Sequence, residues 1–250
     1  MAQPVTASRP TRPASPASPT LLLVGHGSRD PRSAQALRDL RERVASRAGG
    51  RVELAFLELS EPLLEDVLAG LRGEVRIVPL LLGTAFHATD DLPGRVQEAL
   101  AGRRDVSVGI GAALGPHPLL DAAVIARARD LVAQGHEGVV LLGTGSSHES
   151  ANREVHAVAE RVQRVLDVPV RAAFVTRGAS LETVVESVRS RGADRLAVVP
   201  WFLAPGRLLD AGARRASAAG VDALAPPLAD DDRLVDVVLS RAAVSLTLAA

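Results

Sequence analysis

The chain has 250 residues, 47% of them hydrophobic and 23% charged, enough for one large core or two of roughly 100 residues each. Its 29 basic residues, all arginine, balance 29 acidic ones, so neither a general nucleic-acid footprint nor an anionic-membrane footprint is expected. Cysteine is absent, which excludes disulfides, thiolate metal sites, cysteine-bound iron–sulfur clusters and a cysteine nucleophile; any metal has to be held by histidine and carboxylate.

Residues 1–19 carry five prolines and hardly any large apolar side chains, and are expected to form a disordered tail. They lack the continuous apolar stretch of a secretory leader, and no later run approaches the roughly 20 apolar residues of a membrane span, so no membrane partner and a cytoplasmic location are expected. From residue 21 onward, short β-branched or leucine-rich runs alternate with longer amphipathic ones, the pattern of an α/β fold with a parallel sheet covered by helices. Strands are predicted at 21–24, 52–57, 75–82 and 106–109, and helices at 33–47, 62–71, 92–101 and 118–133. The series then begins again, with strands at 139–142, 170–175, 195–203 and 221–224 and helices at 150–166, 181–191, 207–218 and 233–246.

The second series repeats the first. LLLVGHGSRDPRSAQALRDLRERV returns as VVLLGTGSSHESANREVHAVAERV, with Gly25, Gly27, Ser28 and Val44 recurring as Gly143, Gly145, Ser146 and Val162. Phe56 recurs as Phe174 and Leu63 as Leu181, each 118 positions on, and Pro79 as Pro200, 121 on. The expected organisation is a tail at 1–19 and two half-domains, 20–136 and 137–250, with a central cleft; the helix at 118–133 is expected to pack back on the first sheet. The histidines do not repeat: His26 faces Thr144 and His87 faces Leu208, so only the first half supplies imidazoles to the cleft.

In open parallel sheets the ligand crevice lies beyond the carboxyl ends of the strands, where His26, Glu58, His87, Ser146 and Arg207 all fall. GHGSRD and GTGSSH sit at strand-to-helix turns, where glycines allow a tight turn and following N–H groups can face an anion; a plain turn with a serine cap reads the same way. A dinucleotide fingerprint fails because Asp30 and His148 stand where its third glycine belongs, a nucleophile elbow fails because neither Ser28 nor Ser146 has glycine two residues later, and Gly25 stands where a histidine phosphatase has arginine. Two strand-end histidines in one crevice favour ligation of a divalent metal over two structural histidines, and Glu58 in AFLELSEP is the candidate carboxylate, unless it is a solvated strand-end residue. His117, His136, His148 and His156 are weaker candidates; His117, between prolines before a helix, reads as a structural turn.

GHGSRDP, AFLELSEP, VPLLLGTAFHATDDLP, GTGSS and VPWFLAPGRL together make the chain from Leu21 onward resemble the class II tetrapyrrole chelatases, specifically the double-length sirohydrochlorin chelatases. The resemblance implies two similar α/β halves about a central cleft, with His26 and His87 as catalytic and metal-binding histidines and Glu58 as the family glutamate. It implies insertion of Fe²⁺ or Co²⁺, a substrate metal and not a resident cofactor, into sirohydrochlorin for siroheme or cobalamin biosynthesis. Sirohydrochlorin carries eight carboxylates, so Arg29, Ser146, Ser147 and Arg207 become the candidate substrate contacts, and a monomer of two fused halves is expected. The rival readings are a non-catalytic tetrapyrrole or metal carrier on the same scaffold and, more distantly, a phosphate-ester hydrolase using His26.

Overall fold

The computed structural model describes residues 18–83, 91–244 and 246–247. His87 and all of the expected tail but Ser18 and Pro19 lie outside them. The first half runs β1 (Thr20–Gly25), α1 (Pro31–Ala48), β2 (Val52–Phe56), α2 (Leu64–Gly70), β3 (Gly73–Pro79), α3 (Asp91–Ala99), β4 (Val106–Ile110) and α4 (Pro118–Ala133). The second runs β5 (Gly138–Gly143), α5 (Glu149–Gln163), β6 (Val170–Phe174), α6 (Leu181–Arg189), β7 (Leu196–Pro200), α7 (Arg207–Ala218) and β8 (Ala223–Leu224). A 3₁₀ turn (Leu228–Asp230), α8 (Asp232–Ala243) and β9 (Leu246–Thr247) follow.

Each half holds a four-stranded parallel sheet flanked by helices, ordered β2-β1-β3-β4 and β6-β5-β7-β8. In this doubly wound order the topological switch falls between β1 and β3, and between β5 and β7. The central strands are apolar on both faces because both are covered: Leu21 and Leu23 point into one cluster, Leu22 and Val24 into another. β3 and β7 end at Pro79 and Pro200, earlier than the hydrophobic runs predict, since proline has no N–H for the ladder. One bond carries each chain on past its proline, Leu80 N donating to Val24 O and Trp201 N to Leu142 O, both at 2.8 Å.

Two expectations are corrected. The predicted helix 233–246 stops at Ala243, and Leu246–Thr247 adds instead an antiparallel strand beside Gly109 and Ile110 of β4, occupying the edge of the first sheet. The Leu63–Leu181 match is out by one: α2 starts at Leu64 and α6 at Leu181, and these two leucines are the fully buried pair. Phe56 N donates to Pro62 O but Phe174 N donates to Ala179 O, so the first half carries one extra residue between β2 and α2.

A third correction concerns α4, which lies against β7, α5 and α8, not back on the first sheet. The place beside α1 on the first sheet is taken by α8, which touches β3. The halves therefore exchange their last long helices, and α1, α4, α5 and α8 fill the space between the sheets. One apolar cluster unites Leu23 and Phe56, Leu120 and Val124, Leu141 and Phe174, and Leu234 and Val238. The outer faces have separate cores, under α2 and α3 and under α6 and α7.

Arginines fasten the exchanged helices at their ends. Arg127 of α4 binds Asp231 at 2.6 Å and Asp230 at 2.7 Å and donates to Pro226 O and Pro227 O, while Arg43 of α1 reaches Ala229 O and Asp230 O. Arg161 of α5 holds Asp121 of α4 at 2.6 Å. Burial pushes the Asp231 carboxyl up, but the hydrogen bond from Arg127, the backbone N–H of Arg233 and both guanidinium charges outweigh it and leave it below the usual carboxylate range.

A shared core predicts a single calorimetric unfolding transition, and Leu120→Ala in α4 and Leu234→Ala in α8 should each lower that transition as a whole, at a cost of about 2–5 kcal/mol. Two separately melting halves would contradict the exchange. Because the Asp231 pKa is lowered on folding, its contribution is present above the unfolded carboxyl pKa of about 3.9 and disappears as pH falls through the lower folded value. Asp231→Asn should therefore be less stable than the native chain at pH 7, and urea titrations should show the gap closing below about pH 4.

Candidate functional site

The strand ends of both halves face a common cleft. On one side of it His26 and Ser28 stand opposite Phe202, Leu203, Arg207 and Leu208; on the other, Leu80 and Leu82 stand opposite Ser146 and Asn152. Thr144, Leu80, Phe202 and Leu203 border both cavities, the last three with apolar side chains. The switch points of both sheets thus open into one space.

His26 is the first residue after β1 and Glu58 the second after β2, on the neighbouring strand. Glu58 N donates to His26 O at 3.0 Å, continuing the parallel ladder past the strands, and the side chains meet with His26 Nε2 3.2 Å from Glu58 Oε1. Both are about half exposed, at 53% and 55%; His26 lines the cleft, whereas Glu58, within reach of the imidazole, is not among its lining residues. Gly27 is indispensable to this approach: its φ is +99°, and a Cβ there would lie 1.6 Å from Glu58 O. Ser60 closes the loop, its hydroxyl accepting from Ser28 N and donating to Ser28 O, both at 3.0 Å.

The second half repeats this frame without the pair. Thr176 N donates to Thr144 O at 2.9 Å, and the Thr176 hydroxyl turns back to Thr144 O and Gly145 O. Asn152, one turn into α5, takes the place of Ser60, accepting from Ser146 N at 2.9 Å and donating to Ser146 O at 3.0 Å. Neither clamp was legible beforehand, since a serine and an asparagine on different elements do one job. The Ser28 and Ser146 hydroxyls both accept from the backbone two residues on, at Asp30 N and His148 N, so each serine braces its turn, but the helix caps are Asp30 and His148 and not the serines.

Of the candidate substrate contacts, Ser146 and Arg207 line the cleft, whereas Arg29 and Ser147 are exposed and not among its lining residues. Arg207 opens α7, close enough to Asp30 to help lower its pKa, although the Arg32 hydrogen bonds are the main cause. Arg32, missed by sequence reasoning, bridges the halves: it binds Asp30, which caps α1, and Asp210 on α7. Those two carboxylates raise the guanidinium pKa above its already high ordinary value. His117 caps α4 by accepting from Leu119 N, and His136 contacts Leu131 O at 2.8 Å, which makes both structural. His156 packs edge-on to Phe174 with ring centroids 5.3 Å apart, away from the metal-binding role considered for it. No group of three or more metal-binding side chains occurs among the described residues. Nor is any helix among them long and apolar enough to cross a membrane.

Two doubly wound modules facing one another across a cleft, with the polar pair in only one of them, define a class of internally duplicated α/β proteins. Within that class the chain belongs to the CbiX family, whose model matches residues 20–131 and again 138–245. It is 30% identical over 198 residues to a sirohydrochlorin ferrochelatase of Bacillus subtilis (strain 168), covering 76% of each chain. A sirohydrochlorin cobaltochelatase of Priestia megaterium is 26% identical over 206 residues, 76% of this chain and 66% of that one. The structure of SirB from Bacillus subtilis with Fe³⁺ matches with a TM-score of 0.76 at 26% identity, over 89% of this chain and 93% of the other.

Gly27→Ala should cost about 1–3 kcal/mol, because both its backbone conformation and the Glu58 carbonyl oppose a side chain. Gly49→Ala is the control, since φ is +64° there but no atom lies within 4 Å of the added Cβ. Urea unfolding should show the larger loss at Gly27; equal losses would mean that the Glu58 loop yields freely.

Proposed function

We propose that this chain is a sirohydrochlorin chelatase, a lyase that inserts Fe²⁺ or Co²⁺ into sirohydrochlorin, with His26, His87 and Glu58 as its catalytic residues. The observation that carries the site assignment is the His26–Glu58 pair, which stands at the strand ends of one half only, with His26 lining the cleft. The reaction exchanges two pyrrole N–H protons for one divalent metal, so the site has to strip water from the ion, bring it to an open face of the ring and take up two protons.

The pair suits both tasks. Two donors about 2.1 Å from one ion at a near-right angle stand about 3 Å apart, so Nε2 and Oε1, 3.2 Å apart, match two ligands of one metal. The same spacing lets the carboxylate stabilise an imidazolium once Nε2 has taken a pyrrole proton. Histidine and carboxylate ligands with open positions serve iron and cobalt alike, and they release the ion more readily than a closed site would. His87 supplies the second imidazole in this reading. The metal is substrate, and no resident cofactor is invoked.

The macrocycle is an apolar plate with an anionic rim. Phe202, Leu203 and the exposed Leu208 offer apolar contact to its face; Arg207 and the Ser146 hydroxyl, with Arg29 and Ser147 further out, take carboxylates of the rim. Residues 20–136 carry the catalytic half and 137–250 the half that faces it across the cleft, with one macrocycle and one metal per chain and no second subunit needed. A carrier on the same scaffold would bind sirohydrochlorin without accelerating insertion.

Anaerobic insertion of Co²⁺ or Fe²⁺, followed by the absorbance change of sirohydrochlorin, tests the reading. His26→Ala and His87→Ala should each lower the rate at least 100-fold and Glu58→Gln about 10-fold, with folding intact by circular dichroism. Arg207→Ala should weaken macrocycle binding by calorimetry and leave Co²⁺ binding unchanged. Near-native rates in both histidine variants would refute the assignment.

A further inference from the structure

The loop that carries Glu58 differs from its counterpart in two respects, and both fall beside the catalytic pair. The first half has one more residue between β2 and α2. It also holds Leu59 at φ +61°, the one non-glycine residue with positive φ among those described, in the left-handed region that a leucine rarely enters. Ser60 N donates to Glu58 O at 2.7 Å across Leu59, which closes a three-residue γ-turn. In the second half the positive φ falls on Gly178, at +119°, where it costs little.

This backbone conformation is not compensated by packing. The Leu59 side chain is 49% exposed, so a glycine would relieve the turn without loss from the core. The turn does fix the residue before it. Glu58 O, held by Ser60 N, lies where a Gly27 Cβ would be; Glu58 N is bound to His26 O; and Ser60 is tied to Ser28. With its backbone held on both sides, Glu58 reaches His26 Nε2. In the shorter loop, Thr176 occupies the equivalent ladder position and its side chain folds back on the backbone.

We propose that the γ-turn centred on Leu59, in a loop one residue longer than its counterpart, is the device that sets Glu58 against His26, which makes Leu59 a positioning residue acting through its backbone. The proposal rests on the chelatase reading above for its effect on rate, but not for its geometry. Two variants separate backbone from side chain. Deleting Leu59 shortens the loop to the length that already closes the second half. Leu59→Gly keeps the length and removes the Cβ that resists the turn.

The deletion variant should slow Co²⁺ insertion about as much as Glu58→Gln, with KM for sirohydrochlorin changed less than twofold, and adding Glu58→Gln to it should bring no further loss. Leu59→Gly should keep the rate within about twofold and melt at the same or a higher temperature. The ¹⁵N shifts of the His26 ring, which report its carboxylate partner, should move in the deletion variant as they do in Glu58→Gln and stay native in Leu59→Gly. Native ring shifts in a folded deletion variant, or a rate loss in Leu59→Gly as large as in the deletion, would overturn the proposal. If the ring shifts move as expected and the rate does not, the positioning stands and the role given to Glu58 in insertion is what fails.

Discussion

The rest of the molecule depends on one apolar layer between the two sheets. α1 and α8 on one side meet α4 and α5 on the other, and every inward-facing side chain of β1, β2, β5 and β6 is buried against them. An open parallel sheet needs both faces covered, and here each sheet has its inner face covered partly by the other half's last helix. At about 25 cal/mol per Å² of apolar surface, burial of this extent dominates the energy of the fold and fixes how the halves sit. The cleft is a by-product of that arrangement, because the switch points of the two sheets have to open toward the same region.

Around the cleft, the two halves differ by small departures from internal symmetry. Both halves use a glycine with positive φ after the first strand, both continue the strand ladder by one bond beyond it, and both tie the turn with a side-chain clamp. Against that common frame, His26 and Glu58 replace Thr144 and Thr176, and the loop after Glu58 is one residue longer. The backbone frame is common to both halves, while the differences lie in a few side chains and one local distortion.

Most elements were legible from the alternation of short apolar runs with longer helical ones: α4 and α7 begin and end where expected, and β1 and β5 differ from expectation by one residue at each end. His26, Glu58, Ser146 and Arg207 were legible as strand-end residues of a repeated unit. What the sequence concealed was three-dimensional partnership. Nothing in the spacing of 118–133 says which sheet that helix will cover, and repeat logic suggested its own. Leu63 and Leu64 are both leucine, so a one-residue slip in the repeat was invisible until burial chose between them. Arg32 was one arginine among many, and its bridge to Asp210 depends on two helix starts 178 residues apart in sequence.

The helix exchange bears on how the protein can move. Two lobes joined by a simple linker can close over a ligand by hinging, each lobe keeping its own core. Here a hinge would drag α4 and α8 out of the sheets they cover, so rigid-body closure is blocked by the same packing that holds the halves together. Entry and release of a plate as large as a tetrapyrrole must then be accommodated by the strand-end loops, on the time scale of loop motion and with the layer of helices between the sheets still. The molecule is built less like a jaw than like a fixed vice with adjustable faces.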